Sequence, residues 1–195
     1  KDLDLIKDLN CNTIRGSHYP NSKIFVDMLD ECGILFWSEI PMWGVGFSEQ
    51  ALLDPIIQER GFNMHKEMVK YYYNHPSIII WGLHNEIATY SPNSYELSKA
   101  WSEYLRKNGG NRLITHASCH PLRDNDMDFD DIVSINIYHG WYRYSGYNGN
   151  LQDWDKMVED FGKRRIEKGW DKKPVIMSEF GAAALAGYHS YFDTV

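Results

Sequence analysis

The sequence predicts an α/β fold, a TIM (β/α)8 barrel of which about six strands are visible. Three observations carry that prediction. Short strand-like runs alternate with longer amphipathic segments along all 195 residues, and strands separated by helices pair in parallel through crossover connections. The glycine-rich turns of an open nucleotide-binding sheet, GxGxxG and GxxxxGK[ST], do not occur, which sets the doubly wound alternative aside. Polar residues recur at the C-terminal tips of successive strands, the end at which a parallel barrel gathers its functional groups.

Taken in order, "LDLIKDL" (residues 3–9) reads as the tail of a helix with Leu3, Ile6 and Leu9 on one face. "CNTIRGSHYP" is a strand and loop. "NSKIFVDMLDECG" is a helix, capped by Asn21 or Ser22 and stopped at Gly33. "ILFWSEIP" is the next strand, closed by Pro41. After a loop rich in glycine and aromatic residues, "GFNMHKEMVKYYYNHP" supplies a helix and "SIIIWGLHNE" the strand beyond it. Residues 95–108 form another helix, ending in "NGGN". "RLITHAS" and "DIVSINIYHGWY" are strands, "LQDWDKMVEDFGKRRIEKG" is a helix, and "KPVIMSEFGA" is the last clear strand. A whole barrel takes roughly 250 residues. Residues 1–195 are therefore expected to form a single catalytic barrel domain lacking the first strand and the last strand and helix of the full barrel. The start at Lys1 without a signal peptide and the stop after "YFDTV" fit a piece of a longer polypeptide.

Composition narrows the function. With 43% hydrophobic and 14% aromatic residues the chain can bury an ordinary domain core. A net charge of -7 argues against a nucleic-acid partner, which needs clustered Lys and Arg. Apolar runs such as "SIIIWGL" are far shorter than the roughly 20 residues that span a bilayer, so no membrane association is expected. Three widely spaced cysteines, Cys11, Cys32 and Cys119, form no CxxC pair and read as buried free thiols, which points to the cytoplasm. Eight histidines are present, yet HExxH is absent and no HxH pair follows an early strand. No metal or other cofactor is expected.

The strand tips present Arg15 with His18, Glu39, Asn85 with Glu86, His116, Asn136 with Tyr138, and Glu179. A lone glutamate at a strand end is more often a solvated residue or half of an ion pair, but recurrence at the same end of most strands favours a shared site. Two strands that each end on an acid, "SIIIWGLHNE" and "KPVIMSEFGA", suggest a carboxylate pair. Paired carboxylates suit glycoside hydrolysis: one attacks the anomeric carbon while the other, kept protonated by a charged neighbour and apolar surroundings, donates to the departing oxygen. Tips of non-adjacent strands on one barrel rim are compatible with the roughly 5 to 5.5 Å carboxylate spacing of retaining enzymes.

"NTIRGSHYP", "GILFWSEIP", "NHPSIIIWGLHNE", "NIYHGWY" and "VIMSEFGA" together resemble, in order and spacing, the catalytic barrel of glycoside hydrolase family 2, the family of β-glucuronidases, β-galactosidases and β-mannosidases. The resemblance implies a retaining mechanism with Glu86 as general acid/base and Glu179 as nucleophile. It further implies that Asn85 bonds the sugar 2-hydroxyl, that Tyr138 donates to the nucleophile, that Arg15 lies beneath the acids as a supporting cation, and that His18 reaches the sugar or buttresses the site. Glu39 stands where some magnesium-dependent family members keep an acid, but the other ligand positions hold Trp43 and Val45, which fits the absence of a metal. Trp141 and Tyr142, in the aromatic loop "YHGWYRYSGYNGN", and Trp43 are either a sugar platform or ordinary packing.

After the nucleophile, "EFGAAALAGYHS" resembles β-glucuronidases most closely, so a β-glucuronide is the favoured carbohydrate substrate and a β-galactoside the next. "NEI" departs from the "NEP" of many glucuronidases, and the loop that selects the acidic sugar in that family lies downstream of Val195. The resemblance also implies β-sandwich domains upstream of the barrel, and a homo-oligomer of the full-length protein is the accompanying expectation. The alternative is a non-catalytic carbohydrate-binding barrel. The presence of both acids, the asparagine and the tyrosine favours the enzyme, since binding alone needs no proton donor.

Overall fold

The computed structural model describes residues 1–44, 46–141, 153–181 and 185–189. Six strands, β1 (Thr13–Gly16), β2 (Leu35–Glu39), β3 (Ile78–Asn85), β4 (Leu113–Ser118), β5 (Val133–Asn136) and β6 (Val175–Glu179), form one sheet in sequence order, with every neighbouring pair parallel. Helix α1 (Asp2–Asp8) precedes β1, and α2 (Lys23–Cys32), α3 (Pro55–Tyr72), α4 (Pro92–Asn108) and α5 (Trp154–Lys168) intervene between strands, except between β4 and β5, where the described connection carries a 3-10 turn at Asp126–Phe129.

The sheet is rolled. Five spacings of about 4.8 Å would put β1 and β6 roughly 24 Å apart in a flat sheet. Arg15 on β1 nevertheless donates to Glu179 on β6 at 2.7 Å, which only a curled half-barrel permits. Its helix-facing side carries most of the core, with Phe36, Trp81, Leu83, Trp101 and Leu105 among the buried side chains, and a second cluster around Met157, Phe161 and Trp170 under α5. A smaller inner cluster joins Trp37, Ile80, Ala117 and Ile132. On β6, at the sheet's edge, Val175, Ile176 and Met177 are 42%, 37% and 36% exposed.

One irregularity aims the functional residues. Along β3, Ile80 belongs to the inner cluster, while Trp81 and Leu83 pack towards the helices. Strict alternation would turn His84 inward, yet His84 bonds Ser98 of α4 at 2.8 Å. The β3–β4 register shifts between Gly82 and Asn85, so Asn85 emerges inward one residue late. Gly82 lies under this shift: a Cβ there would meet Glu39 Cβ and Trp37 Nε1 at 2.5 Å each, so only glycine lets the two side chains lie flat on β3.

Several boundaries differ from expectation. α3 starts at Pro55, because Asp54 caps Ile56 N at 2.8 Å and proline suits the first helical turn. α4 starts at Pro92 for the same reason, with Ser91 as its cap. α2 is as expected, with Ser22 capping Phe25 N and Gly33 left-handed at φ 66°. Leu9 is 74% exposed, since α1 ends at Asp8 and the face holding Leu3 and Ile6 does not continue. The cysteines are free, but Cys11 is exposed and the other two half-buried, which corrects the expectation of buried thiols. Among the described residues no helix is long and apolar enough to cross a membrane.

Candidate active site

The inward tips of β1, β2, β3, β5 and β6 meet in one hydrogen-bond network centred on Arg15. Its guanidinium donates to Glu39 at 3.0 and 3.2 Å, to Glu179 at 2.7 Å and to Asn85 Oδ1 at 2.7 Å, and its Cζ lies 4.7 Å from the Trp37 ring centroid. Glu39 is fully buried; two guanidinium bonds and His18 Nδ1 at 2.9 Å compensate its charge. It is therefore a supporting carboxylate, not one open to solvent. His18 Nε2 lies 3.7 Å from Glu179, and the His18 ring stacks on Trp43, centroids 5.4 Å apart at 21°. Trp43 is 45% exposed, so its ring is not core packing.

The two candidate acids sit in different surroundings. Glu179 accepts from Arg15 through one oxygen and from the Tyr138 hydroxyl through the other. One of the two donors is a cation and the other a phenol hydroxyl. Glu86 follows β3 with a left-handed backbone, φ 53°, rare for a residue with a side chain, and such outliers concentrate at functional sites. Burial raises its carboxyl above the ordinary range for a glutamate. The Asn136 hydrogen bond opposes the rise, the charge of Glu179 adds to it, and His18 and Arg15 oppose it. Glu86 and Glu179 therefore share one electrostatic site in unlike surroundings.

Asn136, prominent at its strand tip but given no role from the sequence, links the halves. Its amide donates to Asn85 Oδ1 at 3.0 Å and Glu86 Oε1 at 2.8 Å, and its carbonyl accepts from Ser178 at 2.6 Å. The signal was its place at the end of β5, just past a register shift against β6. Asn85 Oδ1 thus accepts from both Arg15 and Asn136.

His116 does not join this site. It is fully buried on the helix side, between Asp124 at 3.0 Å and Asp130 at 2.9 Å. The alternation of β4 turns it away from the rim, because Thr115, its neighbour, bonds Ser134 across the sheet. Trp141 is half-buried, and its backbone N–H donates to the Tyr138 carbonyl at 3.0 Å. Tyr142 and Val45 lie outside the described residues. Among the described residues a three-member acid/histidine group, Asp27, Asp30 and His75, has metal-compatible spacing. It precedes β3, at the opposite end of the sheet, and Asp30 is already taken by His75 Nδ1 at 2.6 Å and Ser77 N at 2.8 Å.

Comparison with known proteins gives this geometry a context. Residues 1–195 match the family model for glycosyl hydrolases family 2, TIM barrel domain. The chain is similar to the β-glucuronidase of Streptococcus agalactiae, 32% identical over 98% of this chain and 34% of that protein. The β-glucuronidase of Homo sapiens is 28% identical over 97% of this chain and 28% of its own length. Among solved structures it resembles a β-galacturonidase from Eisenbergiella tayi bound to galacturonate, with TM-score 0.86 and 35% identity over 97% of this chain and 33% of that one. The β-glucuronidase of Lactobacillus rhamnosus follows at 0.82 and 29%, over 99% and 33%. The chain thus spans about a third of the length of the relatives it matches.

Proposed function

The chain belongs to glycoside hydrolase family 2, and we propose that it carries the catalytic centre of a retaining exo-β-glycosidase acting on β-linked uronides, β-glucuronides first. One observation carries the mechanism: Glu179 is held by a cation and a phenol hydroxyl, whereas burial raises the Glu86 carboxyl.

In the first step a Glu179 oxygen attacks the anomeric carbon as the bond to the aglycone oxygen breaks, and the Glu86 proton passes to that oxygen. The product is a glycosyl ester on Glu179. Glu86, now anionic, takes a proton from water, which attacks the same carbon and releases Glu179 as a carboxylate. Arg15 and Tyr138 favour Glu179 as attacking anion and as leaving group. With its carbonyl oxygen accepting from Arg15 and Asn136, Asn85 has its N–H donors to give to the sugar 2-hydroxyl, a bond that strengthens towards the transition state. Trp43, braced by His18, offers an aromatic face to the sugar C–H surface.

A β-galacturonide is the second reading, because the β-galacturonidase is more similar to this chain than the Lactobacillus β-glucuronidase, 35% against 29%. Both sugars carry a carboxylate, which puts a neutral galactoside behind them. The exposed apolar face of β6 supports the further reading that the rest of the polypeptide supplies the missing barrel strands. Relatives about three times as long support additional domains, β-sandwiches upstream in a homo-oligomer, and the free cysteines favour the cytoplasm.

The test is hydrolysis of aryl β-glucuronide and β-galacturonide by the full-length protein and by its Glu179→Gln and Glu86→Gln variants. Loss of the proton donor is expected to lower kcat by about 10²- to 10⁴-fold, and loss of the nucleophile by at least as much. Both variants are expected to keep their fold. Wild-type rates in both would remove the mechanism.

A further inference from the structure

We propose that Tyr90, His120 and Arg123 form the leaving-group side of this site and that Arg123 selects an aglycone bearing an oxyanion, carboxylate or sulfate. The inference rests on Glu86 being the proton donor, because the donor touches the bond oxygen and the aglycone therefore leaves along the loops next to it.

Those loops follow β3 and β4. The Glu86 N–H donates to the Ala117 carbonyl at 2.8 Å, and Asn85 is in register with Ala117, so the chains leaving the two strands start side by side. Ser118, Cys119 and His120 come next on one, and Tyr90 lies four residues past Glu86 on the other. Burial pushes the Cys119 thiol up to about 12, and the charge of Glu86, with that of Glu179, adds to the rise, so this turn runs within electrostatic reach of both acids. The loops close on each other through side chains. The Tyr90 and His120 rings meet edge to face, centroids 5.2 Å apart, and the Arg123 guanidinium carbon lies 4.3 Å from the Tyr90 centroid. A helical turn, with the N–H groups of Arg123 and Asp124 both bonded to the His120 carbonyl at 2.8 Å, sets the spacing of His120 and Arg123.

The cluster has unused bonding capacity. Among the described residues no carboxylate lies within 4.0 Å of Arg123, and its side chain makes no hydrogen bond. Arg15 and Arg106, by contrast, are both paired with carboxylates. His120 Nδ1 is buried without a hydrogen-bond partner among the described residues. A guanidinium stacked on tyrosine keeps its edge donors available, and that planar fork matches a carboxylate or sulfate. The flat Tyr90 ring accommodates an aryl or sugar leaving group. In a chain of net charge -7, an unneutralised cation on the loops that leave β3 and β4 is the local feature that favours an anion.

The experiment measures kcat/KM of the full-length protein on two aryl β-glucuronides matched in leaving-group basicity, one neutral and one with a carboxylate on the aryl ring. The same pair, and the aryl β-glucoside that matches its neutral member, are measured with Arg123→Gln and Arg123→Lys. The charged-to-neutral ratio within one protein cancels any loss of folded enzyme. The wild type is expected to prefer the charged substrate, less so at high salt. Arg123→Gln is expected to lower the ratio about fivefold, mainly through KM, as suits a partly exposed charge contact. Arg123→Lys is expected to restore part of it. A ratio unchanged in Arg123→Gln, with glucuronide turnover intact in the wild type, overturns the aglycone assignment and leaves the hydrolase reading standing. A fall in the glucuronide-to-glucoside preference instead assigns Arg123 to the sugar and overturns it too. No turnover of any β-glycoside by the wild type overturns the hydrolase reading and this inference with it.

Discussion

At the scale of single residues, the site is a problem of keeping two like-charged groups different. Arg15 and Tyr138 both bond Glu179, whereas among the described residues Asn136 is the side chain that donates to Glu86. That bond favours the anion of Glu86 and holds down a carboxyl that burial raises. Asn136→Ala removes the donor, so Glu86 keeps its proton to higher pH. The alkaline limb of the kcat/KM profile, set by the proton donor, is expected to move to higher pH, as a pH series on the full-length variant would show. The grouping of Glu86, Glu179, Arg15 and Tyr138 was legible because each lies within the last two residues of a strand or just past its end. The linking role of Asn136 was not, since it depends on which strand tips face each other across the rolled sheet. His116 misled for a related reason: a polar residue near a strand end does not reveal its face, and this one faces the helices, between Asp124 and Asp130.

At the scale of elements, β3 carries the decisive irregularity. Hydrophobic pattern identifies it as a strand, and the alternation of strands with helices predicts the six strands in parallel, as found. Pattern could not reveal the register shift that turns His84 outward and Asn85 inward, because a shift is a property of a pair of strands. Gly82 belongs to the same device. Gly82→Ala puts a methyl group into Glu39 and Trp37, and overpacking of this kind costs about 1–3 kcal/mol. Its larger effect is expected on kcat, since Glu39 anchors Arg15 and Arg15 anchors Glu179. Thermal melting alongside steady-state kinetics separates the two effects. The early starts of α3 and α4 were hidden in the sequence by loop-like composition, although Asp54-Pro55 and Ser91-Pro92 are both recognisable caps in retrospect.

At the scale of the whole molecule, the curl of the sheet and the burial of charge are two sides of one design. Rolling β1 against β6 lets one guanidinium serve three strands beyond its own. The helix side buries further titratable groups, and these make the fold sensitive to acid. His65 on α3 is fully buried beside Trp101, and burial pushes its pKa from 6.5 to about 3. The unfolded chain therefore binds a proton that the native state refuses. The contribution is present in full above pH 6.5 and is lost as pH falls towards 3. His65→Leu is expected to flatten stability against pH in that window, as melting temperatures along a pH series would record.

The central claim is that Glu179, bonded by Arg15 and Tyr138, forms the bond to the sugar while Glu86 supplies the proton. The most direct measurement treats the full-length protein with a 2-fluoro β-glucuronide carrying an activated leaving group, digests it, and locates the added sugar mass. The account predicts a single labelled peptide with the mass on Glu179. A label on any other residue, or continued hydrolysis of ordinary substrate by a protein that never acquires one, would contradict it.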